Sequence, residues 1–278
     1  DAPTTYTQEL RLASTGDGRV DWLVGVYWQR IDQDHSILAT DRSGLDLQYS
    51  WNVALATVLG APPPTTRVVA DNRGNYVDEQ LAVFGQLGFD FTPRLHGAVS
   101  ARWFTLDQEF TQVSRGFQFG LAQGTQSGRN SDDVFTPRVE LSYRPREGLL
   151  WYAAAAEGFR TGIINRAVPR QVCAAELAGV GHPDGVPPTE ADTVRNYELG
   201  AKLGLLGERL RVNGAVFRAD WRDMQLNVPL SAFSPNPTFS QCAYDVILNA
   251  GDARSRGAEL ELQALLGAGV RVDASYSY

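Results

Sequence analysis

Three observations predict an all-β protein folded as an antiparallel transmembrane β-barrel. Runs of alternating apolar and polar residues recur along the whole chain, the period-two signature of strands with one apolar and one polar face. The connections alternate between a few residues and roughly twenty to forty, far above the usual median for loops. Aromatic residues gather at both ends of the runs, as interfacial girdles do. The count is about ten strands, with short periplasmic turns and long extracellular loops, the pattern of outer-membrane barrels.

The clearest unit spans Asn196–Leu226. Tyr197, Leu199, Ala201, Leu203 and Leu205 share one parity, against Asn196, Glu198, Gly200 and Lys202 on the other, and Leu206–Arg209 form the turn. In chain order, strand one is Tyr6–Ser14, and strand two is Val20–Asp32 beyond a turn whose Asp17-Gly18 pair supplies positive φ. A polar, Pro-rich loop (33–75) includes Pro62, Pro63 and Pro64. Strand three, Tyr76–Phe91, sets Leu81, Val83, Gly85, Leu87, Phe89 and Phe91 on one side. After Thr92-Pro93 comes strand four, Arg94–Phe110, then a second long loop (111–132). Strands five and six are Val134–Arg144 and Leu149–Arg160, followed by a third loop (161–193). The Asn196 hairpin supplies strands seven and eight, and a fourth loop (225–244) leads to strand nine with Leu260 and Leu262. A Gly267–Gly269 turn joins it to strand ten, which ends on Tyr276 and Tyr278. Strand eight resists assignment: Leu210, Val212 and Val216 share one parity, Phe217 and Trp221 the other.

Composition narrows the function. The 278 residues are 43% hydrophobic with mean hydropathy -0.24, and no run reaches the length of a membrane helix. A net charge of -7 argues against nucleic acid, which requires clustered cations. Among the 25 basic residues Lys202 is the one lysine. The N-terminal DAPTTYTQEL carries no export signal. His35, His96 and His182 stand far apart and form no HExxH, and neither GxSxG, P-loop nor CxxC is present, so the sequence predicts no catalytic residue, no resident metal and no cofactor. Gly179, Gly181 and Gly185 follow no strand, which disfavours a phosphate loop. Cys173 and Cys242 both fall in long loops. They either pair as an extracellular disulfide or remain two loop thiols.

Five segments carry a family likeness: YTQELRLAS (Tyr6–Ser14), FTPRVELSYRP (Phe135–Pro145), YAAAAEGFRTGIIN (Tyr152–Asn165), NYELGAKLGLLGERLRVNGAVFRADWRDMQL (Asn196–Leu226) and NAGDARSRGAELELQ (Asn249–Gln263). In this order they resemble the barrel of a TonB-dependent outer-membrane receptor. The resemblance implies a barrel of about 22 strands plugged by a globular domain. It further implies import of a scarce ligand of the siderophore-iron, cobalamin or carbohydrate class, powered through the TonB complex, in the outer membrane of a Gram-negative bacterium. Residues 1–278 are expected to be an internal part of that barrel, about half of it, with the plug elsewhere; the aromatic last strand also fits a barrel's C-terminal signal. The expected partners are outer-membrane lipid, the TonB complex acting through the plug, and a small ligand at the extracellular loops.

Parity places Arg102, Arg138, Glu140, Glu198 and Lys202 on the lumen wall, facing the plug in an intact barrel. Glu259 and Glu261 share that wall with Arg254 and Arg256 nearby, so a wet wall accounts for them better than acid–base work. Glu157, Arg160 and Asn165 match the family's segment at a strand's outer end, where they either contact ligand or plug or anchor the loop. Two other readings stay open: a passive pore closed from ten strands, and a soluble all-β binding module.

Overall fold

The computed structural model describes residues 2–16, 18–40, 68–116, 124–235, 242 and 244–278. Ten strands form one antiparallel sheet in the order β1 (Thr4–Ala13), β2 (Val20–Thr40), β3 (Val68–Thr92), β4 (Leu95–Arg115), β5 (Gly124–Arg146), β6 (Leu149–Arg160), β7 (Asp192–Leu205), β8 (Leu210–Arg222), β11 (Ala253–Leu265) and β12 (Arg271–Ser277). A separate two-stranded sheet pairs β9 (Gln225–Pro229) with β10 (Asp245–Asn249). Among the described residues β1 pairs with β2 alone and β12 with β11 alone, so the sheet is an open wall.

Register settles the two faces. One row crosses the sheet through Leu12, Val24, Gly85, Ala101, Pro137. Another runs through Val139, Ala155, Tyr197 and a third through Ala153, Leu199, Val216, Ala258. Large apolar side chains on these rows stand exposed, Leu12 at 59%, Leu199 at 55% and Val216 at 52%. A continuous apolar face of this extent belongs against lipid. Strand eight is thereby resolved. Leu210, Val212 and Val216 face outward, in register with Leu205, Leu203 and Leu199, while Phe217 and Trp221 fall opposite Glu198 and Val194 on the inner face.

The short turns are held locally. Thr92 Oγ1 accepts from the amides of Arg94 and Leu95 at 3.2 and 3.0 Å, which fixes a turn that Pro93 cannot donate to. At the β7–β8 turn Leu206, Gly207 and Glu208 are all left-handed, with φ of 55, 66 and 65°. Two of the three are not glycine, an uncommon backbone state.

Several elements differ from the sequence expectation. Strands β2 to β5 run well beyond their expected outer ends, pairing as far as Thr40–Val68, Asp71–Arg115 and Ser114–Gly124. A strand of ten or so residues crosses a bilayer, so these 21- to 25-residue strands rise far above it. Their upper parts, such as Asp34–Ser36 and Asp71–Arg73, are polar on both faces because water bathes both. Of the expected first loop, the Pro62–Pro64 run lies outside the described residues, as does Asp17 of the first turn. The third loop contains a helix, α1 (Arg170–Gly179), and the fourth contains β9 and a 3-10 turn at Leu230–Phe233, with β10 directly after it. The outer aromatic girdle, expected from the sequence to include Tyr27, Trp28, Trp103 and Phe104, also needs correction. Trp28 and Trp103 are outward, but Tyr27 and Phe104 pack inward around fully buried Ala82.

Candidate functional site: the lumen wall and its capped mouth

The inner face below the mouth is a wall of interlocked charges. Arg138 Nη2 donates to Glu140 Oε2 at 2.6 Å. Tyr152 Oη donates to Glu198 Oε1, and Lys202 Nζ lies 5.6 Å from the centre of the Tyr152 ring. Asn213 Nδ2 donates to Glu261 Oε2 at 3.3 Å, with Glu259 two residues away on the same face of β11. Arg102 sits among aromatic rings, its guanidinium 5.5 Å from Tyr27 and 5.9 Å from Phe84 and Phe104. Seven expected wall residues, Arg102, Arg138, Glu140, Glu198, Lys202, Glu259 and Glu261, thus share one face of the sheet. Glu157 does not join them. Its register puts it in the row of Ala153 and Ala155, where Arg195 Nε donates to it at 2.6 Å.

At the outer end, Arg160 belongs to a buried network. Its Nε donates to Asp192 Oδ2 at 3.1 Å and its Nη2 to the Gln225 carbonyl at 3.0 Å. Asp192, 1% exposed, also accepts from the Gln225 amide at 3.1 Å. The Gln225 side chain donates to the carbonyls of Thr161 (2.8 Å) and Glu190 (3.2 Å), and the Trp221 ring lies 5.3 Å from the Arg160 guanidinium. Asn165 imitates a strand. Its amide group donates to Ile247 O and accepts from Ile247 N, both at 2.8 Å, and donates to Pro187 O at 2.8 Å. Asp132 and Thr189 hold the amides of Gly162 and Ile163 at 2.8 Å each, and a Cβ at Gly162 would collide with Thr189 O. Arg160 and Asn165 therefore tie the segment after β6 to β7 and to the β9–β10 hairpin. Asp132, Asp192, Thr189 and Gln225 share the network, and sequence reading missed them because their partners are distant in the chain.

The tied segments carry a small core of their own. Cys173 and Leu177 of α1 pack on Leu230, Cys242 and Val246, all 2% exposed or less. Cys173 and Cys242 are joined by a disulfide, with Cα atoms 5.0 Å apart. Between this cap and the inner faces of β3 and β4 lies a cavity of 650 Å³ bordered by Tyr76, Asp78, Gln108, Phe110, residues 161–166, Asn227 and Ile247. The Tyr76 and Phe110 rings stack at 5.8 Å. Asp78 lies above the apolar belt, which ends at Leu81; burial pushes its carboxyl pKa up, opposed by a hydrogen bond from Gln108. The Gln108 side-chain oxygen is buried without a hydrogen-bond partner among the described residues. His96 meets Asp90 at 2.9 Å near a short turn, far from His35 on β2 and His182 after α1. No group of three or more metal-ligating side chains forms among the described residues.

An apolar outer face, a charged inner face and long external loops define the wall of an outer-membrane transport barrel. The chain belongs to the TonB-dependent receptor-like β-barrel family, whose profile matches residues 2–278. Members are receptors and transporters of the Gram-negative outer membrane, not enzymes. The metal-pseudopaline receptor CntO of Pseudomonas aeruginosa is 26% identical over 268 residues, which is 95% of this chain and 32% of that protein. The ferric yersiniabactin uptake receptor FyuA of Yersinia pestis superposes with a TM-score of 0.65 at 20% identity, covering 99% of this chain and 36% of that one. The siderophore receptor PiuA of Acinetobacter baumannii gives 0.62 at 16% identity, with 99% and 38% covered. The chain therefore spans about a third of the length of these relatives.

Proposed function

We propose that these 278 residues form one arc of the barrel of a TonB-energised importer whose cargo is a metal ion or a metal chelate such as a siderophore complex. About half of a 22-stranded wall is present on this reading, with the plug, and through it the TonB contact, supplied by other parts of the protein. The single observation that carries the reading is the 650 Å³ cavity at the mouth, roofed by a disulfide-braced cap and opening over a charged wall. Its size lies in the range of small-molecule sites. Relatives named for metal-pseudopaline and ferric yersiniabactin favour metal chelates over cobalamin or carbohydrate. In the intact barrel Arg102, Arg138, Glu140, Glu198, Lys202, Glu259 and Glu261 face the plug, and Arg160 and Asn165 hold the roof over the ligand. A ten-stranded passive pore is disfavoured because, among the described residues, β1 and β12 form no ladder with each other that would close the wall.

The test is uptake of radiolabelled ferric, nickel, zinc and copper chelates, cobalamin and maltooligosaccharide by cells with and without the full-length receptor. TonB-dependent accumulation of a metal chelate, lost on substituting Tyr76→Ala with Phe110→Ala, is the expected result. Accumulation of cobalamin or sugar alone would refute the metal assignment, and uptake independent of TonB would refute the importer.

A further inference from the structure

Above the apolar belt, the outward rows of β7, β8 and β11 carry a cluster of arginines. Register aligns Arg195, Asp220 and Arg254 on one rung and Tyr197, Arg218 and Arg256 on the next. Neighbouring strands lie about 4.8 Å apart, so the four guanidiniums fall within one headgroup's reach. Among the described residues two carboxylates answer them. Asp220 serves two at once, accepting from Arg218 Nε at 2.8 Å and from Arg254 Nε, and Glu157 serves Arg195. Asp252, on the next rung out, accepts from the Asp223 amide. Arg256 has no ion-pair partner among the described residues. The guanidiniums point away from the wall, with the Arg218 and Arg254 side chains 51% and 60% exposed against 19% for Asp220. In a chain of net charge -7, this surplus of cations is local.

A second feature lies beside the cluster. Pairing between β5 and β6 stops at Arg138–Ala156, below Pro137, which has no amide to donate. The strands leave a groove of 260 Å³ on the outer surface, floored by Val139 and Ala155, flanked by Tyr197 and topped by the Glu157–Arg195 pair. Apolar below and charged above, with the arginines of β8 and β11 to one side, it has the polarity of a lipid standing in the outer leaflet. Arginine forks match phosphate oxygens two at a time, and the small Ala155 leaves space for an acyl chain. Val216, Leu199 and Ala258, one rung beneath the arginines, continue the apolar surface.

We propose that this patch is a binding site for a phosphorylated lipid of the outer leaflet, its phosphate held by Arg218, Arg254 and Arg256 and one acyl chain lying in the Val139–Ala155–Tyr197 groove. The site is on the opposite face of the sheet from the mouth cavity and is independent of the cargo assignment. Asp220 has a positioning role, holding two guanidiniums side by side.

The test uses the full-length receptor purified in a non-ionic detergent, with three probes: outer-leaflet lipid extracted from the source cells, the same lipid after phosphatase treatment, and inorganic phosphate. Binding is read by native mass spectrometry, and folding by heat-modifiability on gels. The triple substitution R218A/R254A/R256A is expected to weaken lipid binding roughly 100-fold and R256A alone about 5-fold, with the phosphatase-treated lipid weakened comparably. Equal binding by the folded triple variant and the native receptor overturns the proposal, as does equal binding of lipid with and without phosphate. Displacement of the lipid by low-millimolar inorganic phosphate also overturns it, since the patch would then be a small-anion site. If the triple variant does not fold, R256A and R256E decide, because they leave the Asp220 ion pairs intact; unchanged lipid binding in both overturns the proposal.

Discussion

Strand β8 offers a sharp test of the wall's two faces, because adjacent residues should respond oppositely to one substitution. Val212 lies on the outward row between Leu203 and Leu262, and Asn213 faces inward between Lys202 and Glu261. The outward apolar stretch of β8 runs from Leu210 to Val216, so Val212 is one residue from its centre. Arginine at the bilayer midplane of a barrel costs about 2–4 kcal/mol, falling towards 1 or less at the interfaces. For Val212→Arg this gives roughly 2–3 kcal/mol. Asn213→Arg places the same side chain in the wet lumen beside Glu261, whose carboxylate already takes a hydrogen bond from Asn213 at 3.3 Å. A solvated pair there is worth about 0–1 kcal/mol in favour. The assay is urea-dependent folding of the full-length receptor into phosphatidylcholine vesicles, followed by tryptophan fluorescence and by gel heat-modifiability. The expected gap between neighbours is at least about 2 kcal/mol, close to a 30-fold difference in the folding equilibrium. Equal costs, or the larger cost at Asn213, would refute the assignment of faces and the membrane topology that follows from it.

Three further outcomes are expected. Asp192→Ala removes the carboxylate that the Arg160 guanidinium and the Gln225 amide share, leaving Arg160 only the Gln225 carbonyl among the described residues; since Arg160 is about half exposed, the loss is about 2 kcal/mol, visible as faster amide exchange and proteolysis in 161–191 with the strands unaffected. Cys173→Ser with Cys242→Ser opens a loop of 69 residues, which the chain-entropy relation values at roughly 4 kcal/mol as an upper limit; limited proteolysis should cut the cap of the variant, and of the reduced protein, while sparing β7 and β8. Burial raises the Asp78 carboxyl pKa above its ordinary value, so between the two pKa values the folded form holds a proton that the unfolded chain has released. Across the interval from the unfolded to the folded pKa, stability must fall as pH rises, and Asp78→Asn should flatten that slope in hydrogen exchange near β3. A slope unchanged by the substitution would show that another group sets it.

Local rules made the wall legible. Alternation over Leu81–Phe91 and the short turns at Thr92-Pro93 and Leu206–Arg209 depend on residues adjacent in sequence, and parity alone put Glu198 and Lys202 on the lumen face. The same rule failed above the membrane, where strands β2 to β5 keep their hydrogen-bond ladders but lose their apolar face. Helix α1 carries weak local signals. Pro169 precedes it without a side-chain cap, and its core partners Leu230, Cys242 and Val246 lie more than fifty residues downstream. The mouth network was invisible for a related reason: Arg160 contacts Gln225 across 65 positions and Asn165 contacts Ile247 across 82. Glu157 shows a limit of motif reading, since one residue's step along β6 carries it to the row that Arg195 occupies.

The Cys173–Cys242 bond has a mechanical meaning as well. It closes a covalent ring containing the whole of β7, its turn and β8, so a force drawing the chain out of the membrane from its ends cannot straighten those strands while the bond is intact. At about 3.5 Å per extended residue, the 69-residue span hides roughly 240 Å of contour length. A receptor pulled from oxidised membranes should come out that much shorter than one pulled under reducing conditions, with the β7–β8 hairpin and the cap leaving the bilayer as one looped parcel.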